Sequence, residues 1–149
     1  MYKNILIATD GSVLSQKGVE QGLALAHLCG AKVTVLTVSE PFPTFDLVSK
    51  LSFFQDPEVV SRYAADCKVL ADKTLAAAET VAATVGVACE TLYVDNTAPA
   101  AAILEAAKLR GCGLIVVTSH GRRGLERMVI GSQATKVLTQ ATVPVLVVR

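Results

Sequence analysis

The stretch Thr118-Ser119-His120-Gly121-Arg122-Arg123-Gly124-Leu125-Glu126-Arg127-Met128-Val129-Ile130-Gly131-Ser132 concentrates the residue types that bind anions. Glycines let a backbone approach a ligand closely and adopt positive φ. Gly131-Ser132 stands at the start of a helical segment, where free amides and the helix dipole favour negative charge. Each hydrogen bond to a charged group is worth about 1.5–3 kcal/mol, so three or four donors could hold a polyphosphate without a large basic patch. Two further loops carry polar chemistry: Ala8-Thr9-Asp10-Gly11-Ser12, which holds an acid, and Val38-Ser39-Glu40. Ser119 beside His120 invites a hydrolase reading. Adjacent residues tend to diverge and no third orienting acid is specified, so that reading is rejected.

These loops follow apolar runs whose pattern fixes where they lie. The runs are Ile5–Ala8, Val33–Val38, Val87–Val94, Leu114–Val117 and Val143–Val148. Their near-continuous apolarity suits parallel strands buried on both faces. The third run contains Glu90 and Thr91 and is expected at an edge. Helical segments separate them. Ser12 caps one whose apolar stripe includes Val13, Leu23 and Ala26, and Gly30 ends it. Asp56-Pro57-Glu58 opens a long helix reaching about Gly86. Thr97 starts another, through Ile103 and Leu109 to a stop at Gly111. A last helix covers about Ser132–Thr139.

The pattern β-α-β-α-β-α-β-α-β predicts a doubly wound α/β fold with a parallel sheet; the expected arrangement is five strands in the order 3-2-1-4-5 with two helices on each face. Ligands of such sheets bind beyond the carboxyl ends of the strands, where strand order reverses, and the three loops above belong there. No internal repeat is visible, so residues 1–149 are expected to form one domain. The segment from Ser39 to Gln55, with Pro41, Pro43, Phe42, Phe45, Phe53 and Phe54, has no clear period. It is either a functional lid or partner surface, or a loop whose aromatics tuck onto the sheet.

Composition narrows the classes. Across 149 residues, 52% are hydrophobic and 18% charged, which excludes a disordered chain. Fourteen Lys and Arg against thirteen Asp and Glu leave a net charge of +1, and 5% aromatics supply few stacking groups; both argue against nucleic acid as partner. Cys29, Cys67, Cys89 and Cys112 show no CxxC spacing and read as free thiols in a reducing compartment. The short apolar run after Met1-Tyr2-Lys3-Asn4 stops at Thr9-Asp10, too early for a leader or a membrane span, so a cytoplasmic location is expected.

The chain resembles the universal stress protein family. Gly121, nine residues, then Gly131-Ser132 match the second and third elements of that family's nucleotide signature, Gly-x2-Gly-x9-Gly-Ser/Thr. The likeness extends through Ala-Thr-Asp-Gly-Ser at 8–12, Thr-Ser-His-Gly-Arg-Arg-Gly at 118–124 and Val-Pro-Val-Leu-Val-Val at 143–148, and covers essentially the whole chain. One element departs: the signature's first glycine falls on Thr118, whose side chain either crowds a ligand or leaves its amide usable and adds a hydroxyl donor.

The resemblance implies an adenine-nucleotide alpha-hydrolase-like fold that binds ATP, with Mg²⁺ or Mn²⁺ bridging the phosphates. It also implies a homodimer paired through strand 143–148, and a regulatory, nucleotide-dependent role in stress rather than a dedicated enzyme. The site it implies comprises Ala8, Thr9, Asp10, Val38, Val117, Thr118, His120, Gly121, Arg122, Arg123, Gly131, Ser132 and Gln133. Asp10 would take the ribose hydroxyls, the alternative being a helix cap shared with Ser12. The backbone of Val38 would read the adenine edge, although its side chain is equally well explained as core. The amides of Gly121, Gly131 and Ser132, with the Ser132 hydroxyl, would hold the phosphates. Arg122 and Arg123 either pair with phosphate or stay solvated, and His120 either polarises a phosphate or is structural.

Rival chemistries fit less well. A flavin-phosphate module would meet repulsion from Asp10 in its first loop. A phospho-acceptor domain needs several clustered acids. A Walker-type NTPase needs a Gly-Lys-Ser/Thr that is missing. The remaining rival is an interaction module of the same family that has lost its nucleotide.

Overall fold

The structure, a computed structural model, describes residues 1–42, 56–120 and 130–149. Its elements run β1 (Asn4–Ala8), α1 (Val13–Cys29), β2 (Lys32–Val38), α2 (Pro57–Val85), β3 (Cys89–Val94), α3 (Pro99–Leu109), β4 (Leu114–Thr118), α4 (Ser132–Gln140) and β5 (Val145–Val148). The sheet is parallel, as the alternation of strand and helix signals implies, and its order is the expected β3-β2-β1-β4-β5. β1 lies centrally, pairing Ile5 with Val33 of β2 on one side and with Leu114 of β4 on the other. Strand order therefore reverses between β1 and β4.

Both faces of the sheet are covered, and each has its own core. Ile5, Ile7, Val33, Val35, Leu114 and Val116 pack under α1 and α2 with Leu23, Leu75 and Ala82. Leu6, Leu36, Ile115 and Val117 face the other way and pack under α3 and α4 with Ile103, Ala107 and Val137. The period-two alternation along each strand produces this division. β3, the polar run, forms one edge with no residue fully buried, and β5 forms the other.

The helix ends follow their caps. Ser12 Oγ accepts from the Ser15 amide at 3.2 Å, and Asp56 Oδ1 accepts from the Glu58 amide at 3.0 Å. Gly30 and Gly86 adopt left-handed φ of 63° and 71° and close Schellman-type ends. The same motif corrects a strand boundary. Val87 donates its amide to the Ala82 carbonyl and buries its side chain, so its apolarity serves the end of α2 and β3 begins at Cys89. β5 likewise begins at Val145 rather than Val143. Pro144 has no amide, and it contributes only its carbonyl, which accepts from Ile115. Thr97 does not cap α3: its hydroxyl donates to the Asp95 carbonyl, Ala98 takes the cap position, and Pro99 sets the first helical turn. Val13 is exposed and contributes nothing to the apolar stripe of α1.

α1 sits unusually close to the strands it covers. A Cβ on Gly22 would stand 2.5 Å from Ile7 Cδ1, and one on Gly18, a turn earlier on the same face, 2.7 Å from Thr118 Cγ2. Bare positions here let the helix rest directly over the reversal point between β1 and β4.

Candidate functional site

A cavity of about 510 Å³ opens at the carboxyl ends of the strands. Its volume lies within the roughly 300–1,000 Å³ usual for small-ligand sites. Of the residues expected from the sequence, Ala8, Thr9, Asp10, Val38, Val117, Thr118, His120, Gly131, Ser132 and Gln133 all line it. Gly121, Arg122 and Arg123 lie outside the described residues, as does the segment from Pro43 to Gln55.

The β1 end is held by short-range polar contacts. Buried Thr9 donates its amide to the Leu36 carbonyl at 2.9 Å, and its hydroxyl bonds Ser15 Oγ at 3.0 Å and accepts from the Gly11 amide. The Thr9 side chain thus secures the turn into α1. Asp10 Oδ1 accepts from the Ser12 amide at 3.0 Å, while the cap itself belongs to Ser12. The carboxylate is partly buried and oriented at the cavity wall, with Gly11 at φ 77° completing the turn.

The β4 end is a tight turn clamped on two sides. Ser119 donates its amide to the Val148 carbonyl at 2.9 Å, and its carbonyl accepts from the Gly131 amide at 2.7 Å. Thr118 Oγ1 donates to the His120 carbonyl at 3.0 Å. Ser119 Oγ and His120 Nδ1 are 3.0 Å apart, so these neighbours converge, contrary to the expectation that they diverge. They converge through a side chain only 3% exposed, and His120 Nε2, shielded from solvent, has no hydrogen-bond partner among the described residues. A triad would need an acid at one ring nitrogen and a free serine at the other. The pair instead leaves a buried polar atom unsatisfied among the described residues.

Gly131 takes a role different from the expected one. Its amide is engaged by Ser119, and a Cβ there would stand 3.1 Å from the Ser119 carbonyl oxygen. With φ at −58° the backbone needs no glycine for its conformation; the residue is small because the turn presses against it. The amides that α4 leaves without intrahelical acceptors are those of Ser132, Gln133 and Ala134, and no side chain caps this helix. The Gln133 side chain is engaged elsewhere, accepting from the Ala100 amide at 3.1 Å and thereby joining the starts of α3 and α4.

The opposite wall was not anticipated. Tyr63, Cys67, Leu70 and Thr74 of α2 line it together with Tyr93 of β3. Tyr93 Oη and Ser39 Oγ share a hydrogen bond of 2.8 Å, and Tyr63 Oη donates to the Glu40 carbonyl at 3.2 Å. Phe42 stacks edge-on against Tyr63 with ring centres 5.2 Å apart. Tyr93 stands at the carboxyl end of a parallel strand, and that position alone could have flagged it. The α2 residues had no such marker. The four cysteines are free thiols, and burial pushes the Cys112 thiol up from its ordinary value.

Among the described residues, no three metal-ligating side chains gather, and no helix is long and apolar enough to cross a membrane.

A family model described as the universal stress protein family matches residues 1–149. The chain belongs to the universal stress protein family. Universal stress protein YxiE of Bacillus subtilis is 35% identical over 150 residues, covering 100% of both chains. The structure of universal stress protein UspA from Lactobacillus plantarum superposes with a TM-score of 0.75 at 25% identity, covering 99% of this chain and 98% of that one. A universal stress protein in complex with cAMP gives 0.72 at 23%, covering 99% and 97%. The universal stress protein from Archaeoglobus fulgidus in complex with dAMP gives 0.70 at 22%, covering 99% and 98%. The last two bear on the fold alone, and the architecture is the family's adenine-nucleotide alpha-hydrolase-like fold.

Proposed function

We infer that this family member binds ATP in the cavity at the strand reversal and acts as a nucleotide-dependent switch in the stress response. One observation carries the reading: the uncapped start of α4 opens onto the same cavity as the Asp10 carboxylate. The first offers unpaired amides for polyphosphate, and the second offers paired acceptors for a ribose diol. The solved relatives holding cAMP and dAMP support the choice of an adenine nucleotide.

In this reading Ser132, Gln133 and Ala134 supply phosphate-binding amides and Ser132 adds its hydroxyl. Gly121, Arg122 and Arg123 complete the phosphate side, Val38 offers its backbone to the base, and Ala8 and Val117 line the floor. A divalent ion such as Mg²⁺ or Mn²⁺ binds through the phosphates, since the described residues offer no carboxylate cage of their own. The protein works in the cytoplasm as a homodimer paired through β5, and at most hydrolyses ATP slowly.

The nucleotide-free alternative drew its support from Thr118. Its hydroxyl bonds the His120 carbonyl and its methyl lies against Gly18, which weighs against that alternative. Calorimetry with ATP and Mg²⁺ is the test. Binding is expected for the wild type and lost in Gly131→Val, whose side chain would collide with the Ser119 carbonyl. Absence of heat at millimolar ATP would favour the nucleotide-free module.

A further inference from the structure

We propose that Gly18 is a positioning residue of this site: the void it leaves in α1 houses the Thr118 methyl, and so holds the 118–120 turn in the shape that presents α4. The proposal rests on the reading of the cavity as a nucleotide site.

Thr118 closes β4, and alternation along the strand turns its side chain toward α1, the face shared with Leu114 and Val116. A β-branched residue carries two heavy atoms on Cβ, distributed over three staggered positions. Both are accounted for. Oγ1 donates to the His120 carbonyl at 3.0 Å, and Cγ2 lies 2.7 Å from where a Cβ on Gly18 would stand. That separation is well inside van der Waals contact, so Thr118 and any side chain at 18 exclude one another in this geometry.

The consequence reaches the ligand side through two hydrogen bonds. If the position facing Gly18 is closed, Thr118 must rotate. Either the methyl takes the place of Oγ1 against the His120 carbonyl, or Oγ1 itself turns onto residue 18 while the methyl enters the position that hydrogen occupies now. Both rotations take Oγ1 off the His120 carbonyl and break the bond that shapes the turn. The turn is clamped to β5 through the Ser119 amide and to the start of α4 through the Ser119 carbonyl and the Gly131 amide, so a shift in it carries α4's donors along. Gly18 does not itself line the cavity. It acts wholly through Thr118, the position at which this chain departs from its family's signature.

The contact is specific enough to be relieved by deleting one methyl. Serine at 118 keeps the hydroxyl on His120 and places hydrogen toward residue 18. ATP binding in the presence of Mg²⁺ is measured by calorimetry on the wild type, Gly18→Ala, Thr118→Ser and the double variant, with thermal melting as the check on folding. Gly18→Ala is expected to weaken binding by about tenfold or more. The double variant should return to within about threefold of Thr118→Ser alone. Wild-type binding with unchanged affinity in Gly18→Ala, or a double variant as weak as Gly18→Ala, overturns the proposal while leaving the nucleotide reading intact. No binding by the wild type defeats both.

Should Gly18→Ala fail to fold, Thr118→Val provides the second arm. It keeps the methyl against Gly18 and replaces the hydroxyl on His120 by a second methyl, so binding should weaken by about threefold or more. Unchanged affinity there shows that the turn does not depend on Thr118 and overturns the proposal as well.

Discussion

Asp10 and Gly131 belong to the same cavity but work by opposite means. Asp10 contributes a charge, with one carboxylate oxygen fixed by the Ser12 amide. Gly131 contributes the lack of a side chain, so that the turn and the helix can meet. If Asp10 holds the ribose, its effect should depend on the sugar hydroxyls. Replacing ATP by 2′-deoxy-ATP is expected to weaken binding to the wild type by several-fold, about the value of one charge-assisted hydrogen bond, and to leave Asp10→Ala unaffected. An equal penalty in both proteins would place the hydroxyl away from Asp10. Asp10, Thr118, His120, Gly131 and Ser132 were legible in the sequence because strand ends are readable and glycines and acids there have few structural uses. Gly18 was not. Within a helix, glycine reads only as a poor helix former, and the residue that needs its void is a hundred positions away. The Gly131 amide was assigned to phosphate for a related reason: only the fold reveals that the Ser119 carbonyl reaches it first.

At the level of elements, helix ends were read more faithfully than strand ends. A cap is a local chemical event, and Ser12, Asp56, Gly30 and Gly86 all act where their side chains or φ preferences require. Apolarity is ambiguous by comparison. Val87 is apolar because it closes the end of α2, and Val143 precedes a proline that cannot join a ladder through an amide. The α2 wall of the cavity was hidden for the same reason, since partly buried Tyr63 and Cys67 and exposed Leu70 look like any helical surface. β5 carries a prediction of its own. Among the described residues it is a short apolar edge strand paired only with β4, and such edges recruit a second strand unless protected. Static light scattering is expected to give twice the mass of the chain at micromolar concentration, because a two-fold dimer is the commonest way to close an edge. A monomer mass would contradict pairing through this strand.

For the whole molecule, order 3-2-1-4-5 makes the site a consequence of topology. The chain winds one way from β1 through β3 and the other way through β4 and β5, so the crossovers leave a crevice above β1 and β4. Two separate cores, one on each face, support the strands whose ends form that crevice. The composition suits this division. Aliphatic strands covered twice need little charge, and a nearly neutral chain can still bind a polyanion if helix amides supply the donors. The account therefore stands on the start of α4. Its most direct test is a ¹⁵N-resolved NMR titration of the full chain with ATP and Mg²⁺. The amide protons of Ser132, Gln133 and Ala134 should move downfield in saturable fashion as they take up phosphate oxygens. Saturable binding that shifts other cavity residues and leaves those three amides in place would contradict it.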